Sequence, residues 1–190
     1  MSAQASHAAP GSAAIVVMGV SGAGKSTVGA LLAQRLARAF LEGDSFHPPA
    51  NVEKMRHGIA LTDADRLPWL TALAAEIDRA RIAAKPVVIT CSALKRAYRK
   101  ILAGGHTDVL FVYLKGGKEL IARRLAARAG HFMPPLLLDS QFATLEEPDA
   151  DELSYAVGIE GMPEDIVEAI VRVVAQADTG APANEPRPKT

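Results

Sequence analysis

Eight consecutive residues carry the plainest chemistry in the chain: Gly19-Val20-Ser21-Gly22-Ala23-Gly24-Lys25-Ser26, followed by Thr27. They match G-x-x-x-x-G-K-[ST] at every fixed position, the pattern of a phosphate-binding loop (P-loop). Glycines let the backbone curl so that successive N–H groups turn inward around a phosphate. A helix opening at the end of the loop adds the positive end of its dipole. Lys25 then neutralises the β- and γ-phosphates, and the Ser26 hydroxyl is a ligand for Mg²⁺. ATP or GTP is the expected occupant. The flanks agree: the β-branched run Ile15–Met18 precedes the loop, and Val28, Leu31, Leu32 and Leu36 give the next segment one apolar helical face.

Further chemistry-bearing residues follow the next two apolar runs. Asp44 comes just after Phe40–Leu41, at the carboxyl end of a second strand. A carboxylate there accepts the proton of an attacking hydroxyl and orients Mg²⁺ through water, or it merely caps a Gly-Asp turn. His47, in a loop bounded by Pro48-Pro49, either donates to a substrate hydroxyl or buttresses the loop. Ser92 and Lys95 follow the third strand, Val87–Thr90, which ends in Thr90-Cys91 where a carboxylate often supports Mg²⁺. Arg124 and Arg128 are spaced i, i+4 on one helix face; they clasp a polyphosphate or simply form an exposed basic face.

The blocks GVSGAGKST, FLEGDSFHPPANVEKM, LTDADRLPWL, CSALKRAYR, YLKG, RLAARAGHF and DSQFATLEEPDADE stand in the order seen in gluconate kinases. From Val16 to Glu152 the chain resembles that family, small P-loop kinases related to shikimate and adenylate kinases. The resemblance implies transfer of the ATP γ-phosphoryl group to the 6-hydroxyl of D-gluconate. Asp44 then orients or deprotonates the acceptor. Arg66 holds its carboxylate, as a comparable arginine does in shikimate kinases, unless it pairs with Asp63 or Asp65. Ser92 can hydrogen-bond the acceptor, Lys95 is a further substrate contact opening a helix beside the phosphates, His131 is either a substrate contact or a lid-packing residue, and Gln141 suits polyol hydroxyls better than a carboxylate. Arg124 or Arg128 belongs to a lid over about 124–145 that brings a guanidinium to the transferring phosphoryl group. A kinase of another small acceptor such as shikimate, or a regulatory ATP-binding protein with no acceptor, are the rival readings.

These side chains need a scaffold. Short apolar runs alternate with helical patterns: strands at Ile15–Met18, Phe40–Leu41, Val87–Thr90, Val109–Leu114 and Ser154–Val157, and helices at Asn51–His57, Leu67–Ala84, Leu94–Leu102, Lys118–Ala129, Leu136–Leu145 and Glu164–Ala175. That order predicts a three-layer α/β/α P-loop fold with a parallel sheet and a small helical lid. One kinase domain is expected over 14–176, between tails at 1–13 and 177–190. The acidic run Glu146–Glu152 reads as a solvated connection. With 21 basic and 21 acidic residues the net charge is zero, so no global field argues for nucleic acid. No apolar stretch reaches the ~18 residues of a membrane span. Cys91, the only cysteine, excludes an intrachain disulfide and fits a reducing cytoplasm as a small buried hydrophobe. Small kinases of this kind are often homodimers, but no segment identifies an interface.

Overall fold

The structure, a computed structural model, describes residues 11–127 and 135–179. Five parallel strands form one sheet in the order β2-β3-β1-β4-β5: β1 (Ala14–Met18), β2 (Ala39–Leu41), β3 (Val87–Thr90), β4 (Val109–Lys115) and β5 (Ser154–Gly158). Helices α1 (Lys25–Arg35), α2 (Pro49–Arg56), α3 (Asp63–Ile82), α4 (Arg96–Ala103), α5 (Lys118–Ala126), α6 (Pro135–Thr144) and α7 (Pro163–Thr179) connect and cover them.

The period-two geometry of a strand sorts the core into two layers. Ile15 and Val17 of β1, with Val88, Leu110, Val112 and Leu114, face α1, α5, α6 and α7. Ala14, Val16 and Met18, with Val87, Ile89, Phe111 and Tyr113, face Trp69, Leu73 and Ile77 of α3 and Tyr98 and Leu102 of α4. Burial on both faces is why β1, β3 and β4 are nearly continuous apolar runs. The three-layer α/β/α arrangement expected from the alternation is the observed one.

Differences from the expected elements have local causes. Helix α3 starts at Asp63 because Thr62 and Asp65 close a capping box, each side chain bonding the other's backbone N–H. Pro68 is accommodated within the helix. Helix α4 begins at Arg96, after Leu94-Lys95, because Ala93 has a φ of 44° and breaks the helical path. Helix α7 runs to Thr179, past the boundary expected at 176, since no Gly or Pro interrupts the pattern before Gly180. At the other end Ala13 donates from its backbone to Asp108 at 2.8 Å, so pairing begins just ahead of β1.

The acidic run is largely exposed, as expected of a solvated connection, but it is also tethered to the body of the fold. Arg99, 1% exposed, grips Glu152 through two bonds of 2.6 and 2.8 Å and also donates to the backbone carbonyls of Glu146 and Ala93. Arg96 reaches Asp149 at 2.8 Å and pairs with Asp151. A buried guanidinium must be paired, and these carboxylates do that while fastening the segment before β5 onto α4.

Candidate active site

All five strands are parallel, so their carboxyl ends lie along one edge of the sheet, and three of the exits build the site. The loop after β1 takes positive φ values at Gly19 (141°), Gly22 (83°) and Gly24 (98°), the last being the N-cap of α1. At Gly22 no side chain fits, since a Cβ would lie 2.7 Å from Leu125 Cγ of α5. Gly24 supplies no side-chain cap and the first turn of α1 holds no acid, so the opening amides of that helix are left for an external anion. Ser26 and Thr27 are exposed on that turn. Lys25 Nζ donates to the Val20 carbonyl at 3.1 Å, which folds the side chain back along the loop. The loop backbone, Lys25 and the bare helix start fit a polyphosphate.

A cavity opens from this loop toward α7, lined by Gly24, Thr27, Arg124, Gly161 and Pro163 among others. Arg124 donates to the Ile159 carbonyl at 2.6 Å, which anchors its guanidinium at the cavity wall. Arg123 is exposed, as its position around the helix implies. Arg128 and His131 lie outside the described residues.

The acceptor side is built on Gly43. Its N–H donates to Thr90 Oγ1 at 3.0 Å, its carbonyl accepts from Trp69 Nε1 at 2.7 Å, and a Cβ there would stand 1.8 Å from the Thr90 carbonyl oxygen. Only glycine permits that approach. The Thr90 hydroxyl donates in turn to Glu42, so the residue that ends β3 in place of an aspartate locks β3 to the β2 exit. Asp44 follows, exposed in a 3₁₀ turn at Gly43–Phe46. The His47 ring stacks on Trp69 at 4.1 Å between centroids and 17° between planes, and its Nδ1 is buried without a protein partner among the described residues. Burial lowers the His47 pKa from its ordinary value; Asp44 nearby raises it and Arg66 lowers it. Trp69 therefore sits in the core and carries the His47 ring on its face.

Arg66 is half-buried on the first turn of α3, and neither of its expected partners holds it. Asp65 is bonded to Lys54 at 2.6 Å and to Thr62, contacts that hold its carboxyl down at about 2. Asp63 accepts from Lys95 at 2.7 and 2.8 Å and from the Tyr98 hydroxyl. Arg66 makes no ion pair with a described residue and instead lies 5.9 Å from the centroid of Tyr98, whose ring Lys95 shares at 5.5 Å. Lys95, expected beside the phosphates, is thus engaged with the start of α3. Ser92 offers its carbonyl to Gly19 N–H at 3.3 Å, joining the β3 exit to the loop.

Cys91 reports how these groups converge. It is fully buried, and burial pushes its thiol up to about 12; the charges of Lys25, Asp44 and Arg66 all reach it. A thiol held neutral is no nucleophile. The loop lysine, the Asp44 carboxylate and the Arg66 guanidinium thus each lie within electrostatic reach of Cys91. Gln141, expected against polyol hydroxyls, accepts through its Oε1 from Ser21 N–H of the loop at 2.7 Å. Sequence reasoning gave Tyr98 no part, took Thr90 only as the end of a strand, and named Asp63 only as a partner for Arg66. Tyr98 stood in the quoted CSALKRAYR block and Asp63 in LTDADRLPWL, but no periodicity links the two.

Comparison with known proteins agrees with this geometry. The AAA domain family matches residues 15–148. A gluconokinase of Gluconobacter oxydans is 51% identical over 159 residues, covering 83% of this chain and 89% of the relative. The thermoresistant gluconokinase of Escherichia coli is 45% identical over 160 residues, covering 84% and 91%. The crystal structure of a gluconokinase from Sinorhizobium meliloti superposes with a TM-score of 0.81 at 43% identity, covering 90% of this chain and 95% of that one. A P-loop kinase sheet, on a chain sharing about half its residues with such enzymes over nearly their whole length, places it in the gluconokinase family of P-loop kinases.

Proposed function

We propose that the chain transfers the γ-phosphoryl group of ATP to the 6-hydroxyl of D-gluconate, giving 6-phospho-D-gluconate and ADP. The observation that carries the acceptor assignment is Arg66: a half-buried guanidinium that makes no ion pair with a described residue while both neighbouring aspartates are engaged. A fork of N–H donors matches a carboxylate, and gluconate carries its carboxylate at the end opposite the reacting hydroxyl.

In this reading the N–H groups of Gly19–Thr27 and Lys25 hold the nucleotide's phosphates. Arg124 borders the nucleotide cavity, and Arg128, four residues later in the sequence, stabilises charge on the transferring group. Asp44 orients the 6-hydroxyl and takes its proton as the new O–P bond forms and the bond to ADP breaks. His47 turns its unpartnered Nδ1 to the acceptor, Ser92 and His131 are further acceptor contacts, and Lys95 engages the Asp63 carboxylate beside Arg66. Mg²⁺ neutralises charge on the phosphates when bound. No cluster of three metal-binding side chains exists among the described residues, so Ser26, phosphate oxygens and water would supply its shell.

The test is ADP release with a panel of acceptors. Gluconate should turn over, and shikimate and nucleoside monophosphates should not. With gluconate, Asp44→Asn should lower kcat by about a hundredfold or more while ATP binding is retained. A rise in gluconate KM alone would remove the base role from Asp44.

A further inference from the structure

Helices α5 and α6 both pack against the phosphate loop, and they do so at adjacent loop residues. Leu125 of α5 fills the space beside Gly22. From α6, Leu138 is buried in the core layer that contains Val20, Ala23 and Ile121, and Phe142 packs against the same layer. Gln141, one turn after Leu138, is thereby held over Ser21 and accepts its N–H at 2.7 Å across 120 residues of sequence.

The chemistry of that bond fixes which way the side chain points. Ser21 N–H is a donor, so the atom it meets must be the carboxamide oxygen. The NH₂ group is then turned away from Ser21, and it makes no hydrogen bond to a described residue on a side chain that is half-buried. The arrangement satisfies one loop amide and sets a neutral, two-proton donor beside the loop.

We propose that Gln141 is a positioning residue of the nucleotide side: its carbonyl pins the Ser21–Gly22 turn, and its NH₂ faces the phosphate tail, not the acceptor polyol. The inference rests on the loop being the nucleotide site, and a failure of wild-type protein to bind ATP in calorimetry would break that reading separately.

Two variants test the inference in protein that binds ATP. Gln141→Ala removes both functions. It should speed hydrogen exchange of the Ser21 amide and weaken ATP binding about fivefold, with gluconate KM unchanged, the loss expected for one net hydrogen bond. Gln141→Glu keeps an acceptor for Ser21 but replaces the donor with a negative charge. It should restore slow exchange of that amide while leaving ATP binding weaker than in wild type. Unaltered Ser21 exchange in Gln141→Ala would overturn the pinning role. A raised gluconate KM with unchanged ATP affinity would return Gln141 to the acceptor. Full ATP affinity in Gln141→Glu would show that no phosphate lies near the carboxamide.

Discussion

His47 shows how one ring can be tuned by three neighbours of different kinds. Burial against Trp69 disfavours the imidazolium, Asp44 favours it and Arg66 opposes it, with burial the largest influence. The folded pKa therefore lies below the ordinary 6.5, and the ring is neutral at pH 7. Because the folded state takes up this proton less readily than the unfolded chain, the contribution to stability is complete above pH 6.5 and is lost as pH falls through the lowered value. Trp69 is the only tryptophan, so its fluorescence reads the stack without interference. Acidification should quench it with a midpoint below 6.5, and gluconate KM should rise across the same step. His47→Gln should flatten both curves. A midpoint at or above 6.5 would mean that the Asp44 charge outweighs burial.

At the scale of the element, α3 is the piece whose placement decides the acceptor site. Its first turn carries Arg66, and three contacts fix where that turn begins. These are the Thr62–Asp65 capping box, the Lys54–Asp65 ion pair at 2.6 Å, and the bond from Asn51 Nδ2 to the Asp65 carbonyl at 2.7 Å. Thr62→Ala should lower Tm by about 2–4 °C, the usual effect of losing an N-cap in a chain of this length, and should also raise gluconate KM by loosening Arg66. The pH dependence has a definite sign. Hydrogen bonds from Lys54 and then Thr62 hold the Asp65 carboxyl at about 2, down from 3.8, so its contribution is present above about pH 4 and lost as pH falls toward 2. The Tm difference between wild type and Asp65→Asn should accordingly shrink across that window. A difference that stays constant down to pH 2 would show that Asp65 does not act through its charge.

Across the whole molecule, what could be read from the sequence divides by range. The loop, its strand and its helix are specified by neighbouring residues, and strands buried on both faces announce themselves as apolar runs, so the architecture and the nucleotide site were legible. The pairings of Arg99 with Glu152, Lys95 with Asp63 and Gln141 with Ser21 join residues 53, 32 and 120 apart, where local patterning carries no signal. Those pairings tether the exposed acidic run to the fold and tie Gln141 to the loop. They also left Arg66 without a described ion-pair partner. The sheet puts the two half-sites on separate exits, the loop after β1 and the Asp44 and Arg66 side built on β2 and α3. Ligand-induced stabilisation should therefore resolve into two independent effects. At a hundred times its Kd, ATP should stabilise the fold by about 2.7 kcal/mol, a Tm rise of about 5–10 °C, and gluconate should add its own increment. Lys25→Ala should lose most of the ATP shift and keep the gluconate shift. Arg66→Met should do the reverse, with gluconate KM raised about thirtyfold for the loss of a charge-assisted contact worth about 2 kcal/mol. If each variant instead loses both shifts while its ligand-free Tm matches wild type, the two exits do not act as separate half-sites, and the division of labour drawn from the strand order is wrong.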